Sequence, residues 1–145
     1  MSKALIVFAS RSGNTQRIAE LIAEGIRFGG LEAKVSSVTE IKSEADLEGY
    51  DIYLFGSATY HGEMLDSMKR LLFLAEKAGL EGKVGGAFGA WGWSGEASGR
   101  IFETMKHIFK MNMLNGVLPL KESSVEGGIK AAQDYGREAA QQAGA

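Results

Sequence analysis

The sequence contains no cysteine. That absence removes disulfides, thiolate metal ligands, a cysteine nucleophile and thiol redox chemistry together. Histidine is almost as scarce: there are two, His61 and His107, and neither has a partner at metal-ligand spacing, which excludes a histidine-built zinc or iron centre. Any redox chemistry would therefore need a bound organic cofactor. A surplus of positive charge is missing too. Sixteen Lys and Arg face eighteen Asp and Glu, for a formal net charge of -2, so nothing is left over to grip nucleic acid or an anionic membrane. No apolar run approaches the roughly 20 residues of a membrane span, and "ALIVF" near the N-terminus lacks the cleavage site of a signal peptide. The expectation is a cytoplasmic protein with neither nucleic acid nor membrane as partner, and with no metal.

What is present is the material of one core. Hydrophobic residues make up 45% of 145 positions, enough for one well-filled interior and too few for two, so residues 1–145 read as a single domain. Apolar runs recur at residues 4–9, 52–55, 84–90 and 113–118, with a half-polar version, "AKVSSV", at 33–38. Runs that are continuous rather than alternating mean burial on both faces, the mark of a parallel sheet covered by helices. Helical periods lie between them. Ile18, Leu21, Ile22 and Ile26 share one face, as do Leu65, Met68, Leu72 and Ala75, then Phe102, Met105 and Phe109, and finally Ile129, Ala132, Gly136 and Ala139. The segment "SEADLEGY" reads as a short helix or an irregular crossover. This alternation predicts an α/β, doubly wound three-layer sandwich with a five-stranded parallel sheet. The single proline, Pro119, falls in the fifth strand and places it on an edge, as the order 2-1-3-4-5 requires. In such sheets ligands bind beyond the carboxyl ends of the strands, beside strand 1, which directs attention to the loops after strands 1, 3 and 4.

The first of these loops reads "SRSGNT". The hydroxyls of Ser10, Ser12 and Thr15, the Asn14 amide and the Arg11 guanidinium crowd around Gly13 at the start of a helix. A helix cap needs one such group; a turn full of donors at the positive end of a helix dipole suits a phosphate. Neither GxxxxGK[ST] nor GxGxxG is present, so the expected ligand carries a single phosphate monoester rather than a triphosphate or dinucleotide. The second loop sets the small residues Ala58 and Thr59 before an aromatic, Tyr60, followed by His61 and Gly62. The third runs Ala90, Trp91, Gly92, Trp93, Ser94, Gly95 and holds both tryptophans of the chain. Indoles among glycines gain little core packing and more plausibly stack on something flat. A phosphate cradle beside two aromatic-bearing loops outlines a planar heterocycle with a phosphorylated tail, that is, flavin mononucleotide (FMN).

With "SRSGNT", "SATYHGEM" and "GAWGWSGEA" in register on this alternation, the chain resembles the short-chain flavodoxins over nearly its whole length. The second and third loops are especially similar to the flavodoxin-like domain of flavodiiron proteins, though the histidines and carboxylates of the iron site are missing. The resemblance implies the flavodoxin-like fold with an unsplit fifth strand. It also implies noncovalent FMN, its phosphate held by residues 10–15 and its ring gripped between the Tyr60 and Trp93 loops; of the two tryptophans, which the sequence does not rank, the expectation is that Trp93 stacks and Trp91 lies nearer the strand end. It further implies a monomeric electron carrier rather than an enzyme, one that uses mainly the semiquinone/hydroquinone couple and serves redox partner proteins in transient contacts. Glu63, Asp66 and Glu96, in or beside the loops, could repel the reduced ring and lower its potential. Two departures stand out. The charge is less acidic than the family's habit, and His61 occupies the place where the family often has a glycine whose peptide turns toward the ring, with Gly62 one position later.

Other readings fare worse. A phosphotransfer receiver domain needs carboxylates at the ends of strands 1 and 3, where this chain has Ser10 and "GSAT". A serine hydrolase elbow needs GxSxG, and Glu96 replaces the last glycine in "GWSGE". The main alternative is an FMN-dependent NAD(P)H reductase on the same fold.

Overall fold

The computed structural model describes residues 2–9, 13–60, 63–90, 96–120 and 126–144. In chain order the elements are β1 (Lys3–Ala9), α1 (Asn14–Phe28), β2 (Glu32–Ser37), β3 (Ile52–Ser57), β4 (Thr59–Tyr60), β5 (Glu63–Met64), α2 (Asp66–Ala78), β6 (Val84–Ala90), α3 (Glu96–Glu103), β7 (Asn112–Met113), β8 (Leu118–Leu120) and α4 (Glu126–Gln142). The crossover between β2 and β3 carries two 3-10 turns, Val38–Glu40 and Glu44–Leu47, the second within the "SEADLEGY" segment read as a short helix or an irregular crossover. The helix through Phe102 and Met105 is not regular to its end: after Glu103 it widens into a π turn over Thr104–Ile108.

The main sheet is parallel, in the order β2-β1-β3-β6, with β7 and β8 both paired to the outer edge of β6. Five positions in the order 2-1-3-4-5 are thus filled as the strand pattern predicts, and Pro119 lies on an edge strand. The fifth position departs from the unsplit strand that the resemblance implies. Gly85 pairs with Met113 but Phe88 pairs with Leu118, so three steps along β6 match five along its partner. The two extra residues loop out between β7 and β8, where Gly116 takes a φ of 99°. A side chain fills the gap in the ladder. The Tyr135 hydroxyl accepts from the Ala87 N–H at 3.1 Å and donates to the Gly116 carbonyl at 2.8 Å. Burial pushes the pKa of this phenol well above its ordinary value, which keeps the proton it donates.

Alternation along β1 explains why its sequence is apolar throughout. Leu5, Val7 and Ala9 enter one core with Phe55, Met68, Leu72, Ile101 and Met105, beneath α2 and α3. Ala4, Ile6 and Phe8 enter the other with Ile18, Ile22, Leu54, Ala132 and Ala139, beneath α1 and α4. On that second side the helices nearly touch backbone to backbone: a Cβ at Gly25 would lie 1.9 Å from the Gln133 carbonyl oxygen, and one at Gly136 would lie 2.1 Å from that of Ile22. Gly136, read in sequence as one more position on a helical face, is where α4 crosses α1.

Candidate functional site

Three central strands end side by side. Ala9, the last residue of β1, pairs with Ser57, the last of β3, and the Ala58 N–H donates to the Ala9 carbonyl at 3.2 Å, carrying the contact one step past the strand end. From the other side β6 presses on the same point, since a Cβ on Gly89 would meet the Ser57 carbonyl oxygen at 2.6 Å. The loops that follow β1, β3 and β6 therefore leave the sheet about one strand spacing, ~4.8 Å, apart.

At the first exit, α1 opens on Gly13, which is in the left-handed region at φ 85° and has no side chain to offer as a cap. The ladder starts with the Arg17 N–H on the Gly13 carbonyl at 3.1 Å. The N–H groups of Asn14, Thr15 and Gln16 have no acceptor within a helix, and the first turn contains no acidic residue to offset the dipole. Thr15 adds a second observation. It is fully buried, and its Oγ1 has no hydrogen-bond partner among the described residues. A buried unpaired hydroxyl costs about 1–3 kcal/mol, which an anionic oxygen at this helix end would offset. This donor set fits a phosphate.

At the second exit the chain forms a hairpin that the sequence pattern did not predict. β4 and β5 pair antiparallel, Thr59 with Met64 and Tyr60 with Glu63. A two-residue "HG" link between short β-prone stretches was the available signal; it was obscured because each arm is only two residues long. Ser57, whose part the sequence pattern did not show, closes the base of the hairpin. It is fully buried, its Oγ donates to the Ala58 carbonyl at 2.9 Å, and it accepts the Leu65 N–H at 3.0 Å. Leu65 is the N-cap of α2, whose first turn holds Asp66 and so balances its own dipole, unlike α1. The hairpin strands β4 and β5 pack on α3, the helix that follows the third loop in the chain.

Of the residues expected at the site, Gly13, Asn14 and Thr15 stand at the start of α1, Ala58, Thr59 and Tyr60 lead from β3 into the hairpin, and Ala90 ends β6. Ser10, Arg11, Ser12, His61, Gly62, Trp91, Gly92, Trp93, Ser94 and Gly95 lie outside the described residues. Among the described residues no cluster of metal-ligating side chains occurs, and no helix is long and apolar enough to cross a membrane.

Known proteins are similar to this chain in sequence and fold. A flavodoxin from Maridesulfovibrio salexigens is 40% identical over 93 residues, which cover 61% of this chain and 63% of that protein. An NAD(P)H dehydrogenase (quinone) from Archaeoglobus fulgidus is 30% identical over 116 residues, covering 61% of each. Among solved structures, a flavodoxin from the domain Archaea superposes with a TM-score of 0.91 at 30% identity, over 97% of this chain and 98% of that one. The flavodiiron protein from Giardia intestinalis gives 0.89 at 23% identity, over 99% of this chain and 36% of its own, a likeness of fold. The family model for flavodoxins matches residues 6–138, spanning all three strand exits, and on that match the chain belongs to the flavodoxin family of FMN-binding electron-transfer proteins.

Proposed function

We propose that this protein carries FMN noncovalently and passes electrons between redox partner proteins in transient contacts, acting as a carrier without a substrate of its own. The observation that carries the reading is Thr15 Oγ1, buried with no partner among the described residues, at a helix N-terminus whose first turn holds no acidic residue, beside the switch point of the sheet. FMN, when bound, supplies the one-electron chemistry that these side chains lack. The protein's own part is to bind and orient. Thr15 Oγ1 and the first-turn N–H groups of α1 hold the phosphate, with Ser10, Arg11, Ser12, Gly13 and Asn14 completing the cradle. The segments from Ala58 to Gly62 and from Ala90 to Gly95 border the ring, and Trp93 stacks on it. The chain acts as a single, monomeric domain in the cytoplasm.

The test is the absorbance spectrum and released-ligand mass of the purified protein, followed by stepwise anaerobic reduction. Stoichiometric FMN that takes up electrons in two separate steps supports the carrier. Absence of flavin after FMN is added overturns it. The relatives that are NAD(P)H dehydrogenases favour a second reading, a reductase on the same fold. Sustained NADH or NADPH oxidation with a quinone by the isolated protein would select that reading instead.

A further inference from the structure

The Ser57 hydroxyl occupies an unusual place in the hairpin ladder. Thr59 faces Met64 and Tyr60 faces Glu63, so one step further down the hairpin Ala58 faces Leu65. A direct ladder bond there would join the Leu65 N–H to the Ala58 carbonyl. Instead the hydroxyl stands between these two groups, accepting from Leu65 N at 3.0 Å and donating to Ala58 O at 2.9 Å. The relay satisfies both backbone groups and holds the base of the hairpin open by the width of one hydroxyl. Its owner is well anchored. Ser57 is fully buried, pairs with Ala9 in the middle of the sheet, and has its carbonyl in close contact with Gly89. One side chain thus ties both ends of residues 58–64 to the rigid part of the molecule, and the far end of that relay is the N-cap of α2.

We propose that Ser57 is a positioning residue for the flavin: its hydroxyl relay sets where residues 58–60 lie against the ring, and through them it tunes both FMN affinity and the flavin's two one-electron potentials. The inference rests on the flavin reading above and adds to it a residue that does not itself line the proposed pocket. Alanine at this position removes the relay while adding no bulk. The Leu65 N–H and Ala58 carbonyl must then bond directly, narrowing the base, or go unpaired. Either outcome moves the loop. Tyr135 provides the control, because Y135F removes a buried, hydrogen-bonded hydroxyl at the break between β7 and β8, in a different part of the fold.

The experiment compares wild type, S57A and Y135F by three readouts: amide exchange at Leu65 in the FMN-free protein, FMN titration, and anaerobic potentiometry. For S57A the expected result is accelerated exchange at Leu65, about tenfold weaker FMN binding, the worth of one net hydrogen bond, and a changed separation between the two potentials. For Y135F it is a lower melting temperature with FMN affinity within about twofold and unchanged potentials. S57A with wild-type affinity and potentials overturns the proposal, and so does a Y135F that shifts them equally. A wild type that takes up no FMN overturns the flavin reading and the tuning role with it; Leu65 exchange in the FMN-free protein then decides whether Ser57 clamps the hairpin at all.

Discussion

On one side of the sheet α1 and α4 meet through glycine, with Gly25 and Gly136 leaving no room for a Cβ against the opposing backbone. On the other side α2 and α3 are packed by long side chains, and that core contains Met64, Met68, Met105 and Met111, whereas the buried cluster under α1 and α4 has no methionine among its described residues. Backbone contacts permit one spacing, while thioethers adjust to several. The rigid side carries the N-terminus of α1, where Thr15 Oγ1 is buried with no partner among the described residues. The softer side carries α2 and α3, the helices that follow the second and third loops in the chain. On the proposed flavin reading, an anchor prepared in advance and a grip that adapts divide the work of binding between the two faces of one sheet.

The contrast can be broken most severely at the helix crossing. Gly136→Ala puts a methyl 2.1 Å from the Ile22 carbonyl oxygen, which neither backbone can evade. A loss of about 3 kcal/mol is expected, read as a melting temperature lower by roughly 10 °C. Met68→Leu, in the opposite core, should cost less than about 1.5 kcal/mol; equal losses at the two positions would erase the distinction between the sides.

Thr15→Val sharpens the point about the anchor, because it should act in opposite directions on the empty and loaded protein. Replacing an unpaired buried hydroxyl by an isosteric methyl should raise the stability of the FMN-free form by about 1 kcal/mol. It should also weaken FMN binding about tenfold, since the phosphate loses a donor. Thermal melts without FMN and a fluorescence titration with it measure the two effects. A variant that loses stability when empty would mean that Thr15 already has a partner in the FMN-free protein.

A subtler probe is the stacking ring. Flavin fluorescence should be quenched in wild type and recover in Trp93→Ala more than in Trp91→Ala; the reverse order would exchange their roles.

The smallest effect belongs to the exposed face of α4. The Lys130 ammonium, 2.7 Å from the Asp134 carboxylate, lowers the pKa of that carboxyl, with help from Arg137 at 3.0 Å. A depressed folded-state pKa means that the contribution is fully present above the unfolded value, about 3.9, and disappears as pH falls through the lower folded value. Asp134→Asn should therefore reduce the melting temperature slightly at neutral pH and low salt, with the difference closing in acid or in high salt.

Much of this protein was settled by its sequence alone. The strands at 4–9, 52–55 and 84–90 are legible because burial on both faces demands unbroken apolar runs, and the site's end of the sheet follows from the parallel order. The donors of residues 10–15 point to a phosphate through composition, since a single helix cap cannot use them all, and that reading stands as a proposal. Tertiary structure decided what depends on partners distant in the chain. That Thr15 Oγ1 has no partner among the described residues, that Ser57 bridges Ala58 and Leu65, and that Tyr135 replaces a ladder bond at a broken strand are facts about which polar groups find no closer neighbour once the core is packed. Periodicity records which face of an element is buried. It does not record how near two backbones come, and so it showed Gly136 as one more helical position rather than the place where two helices touch.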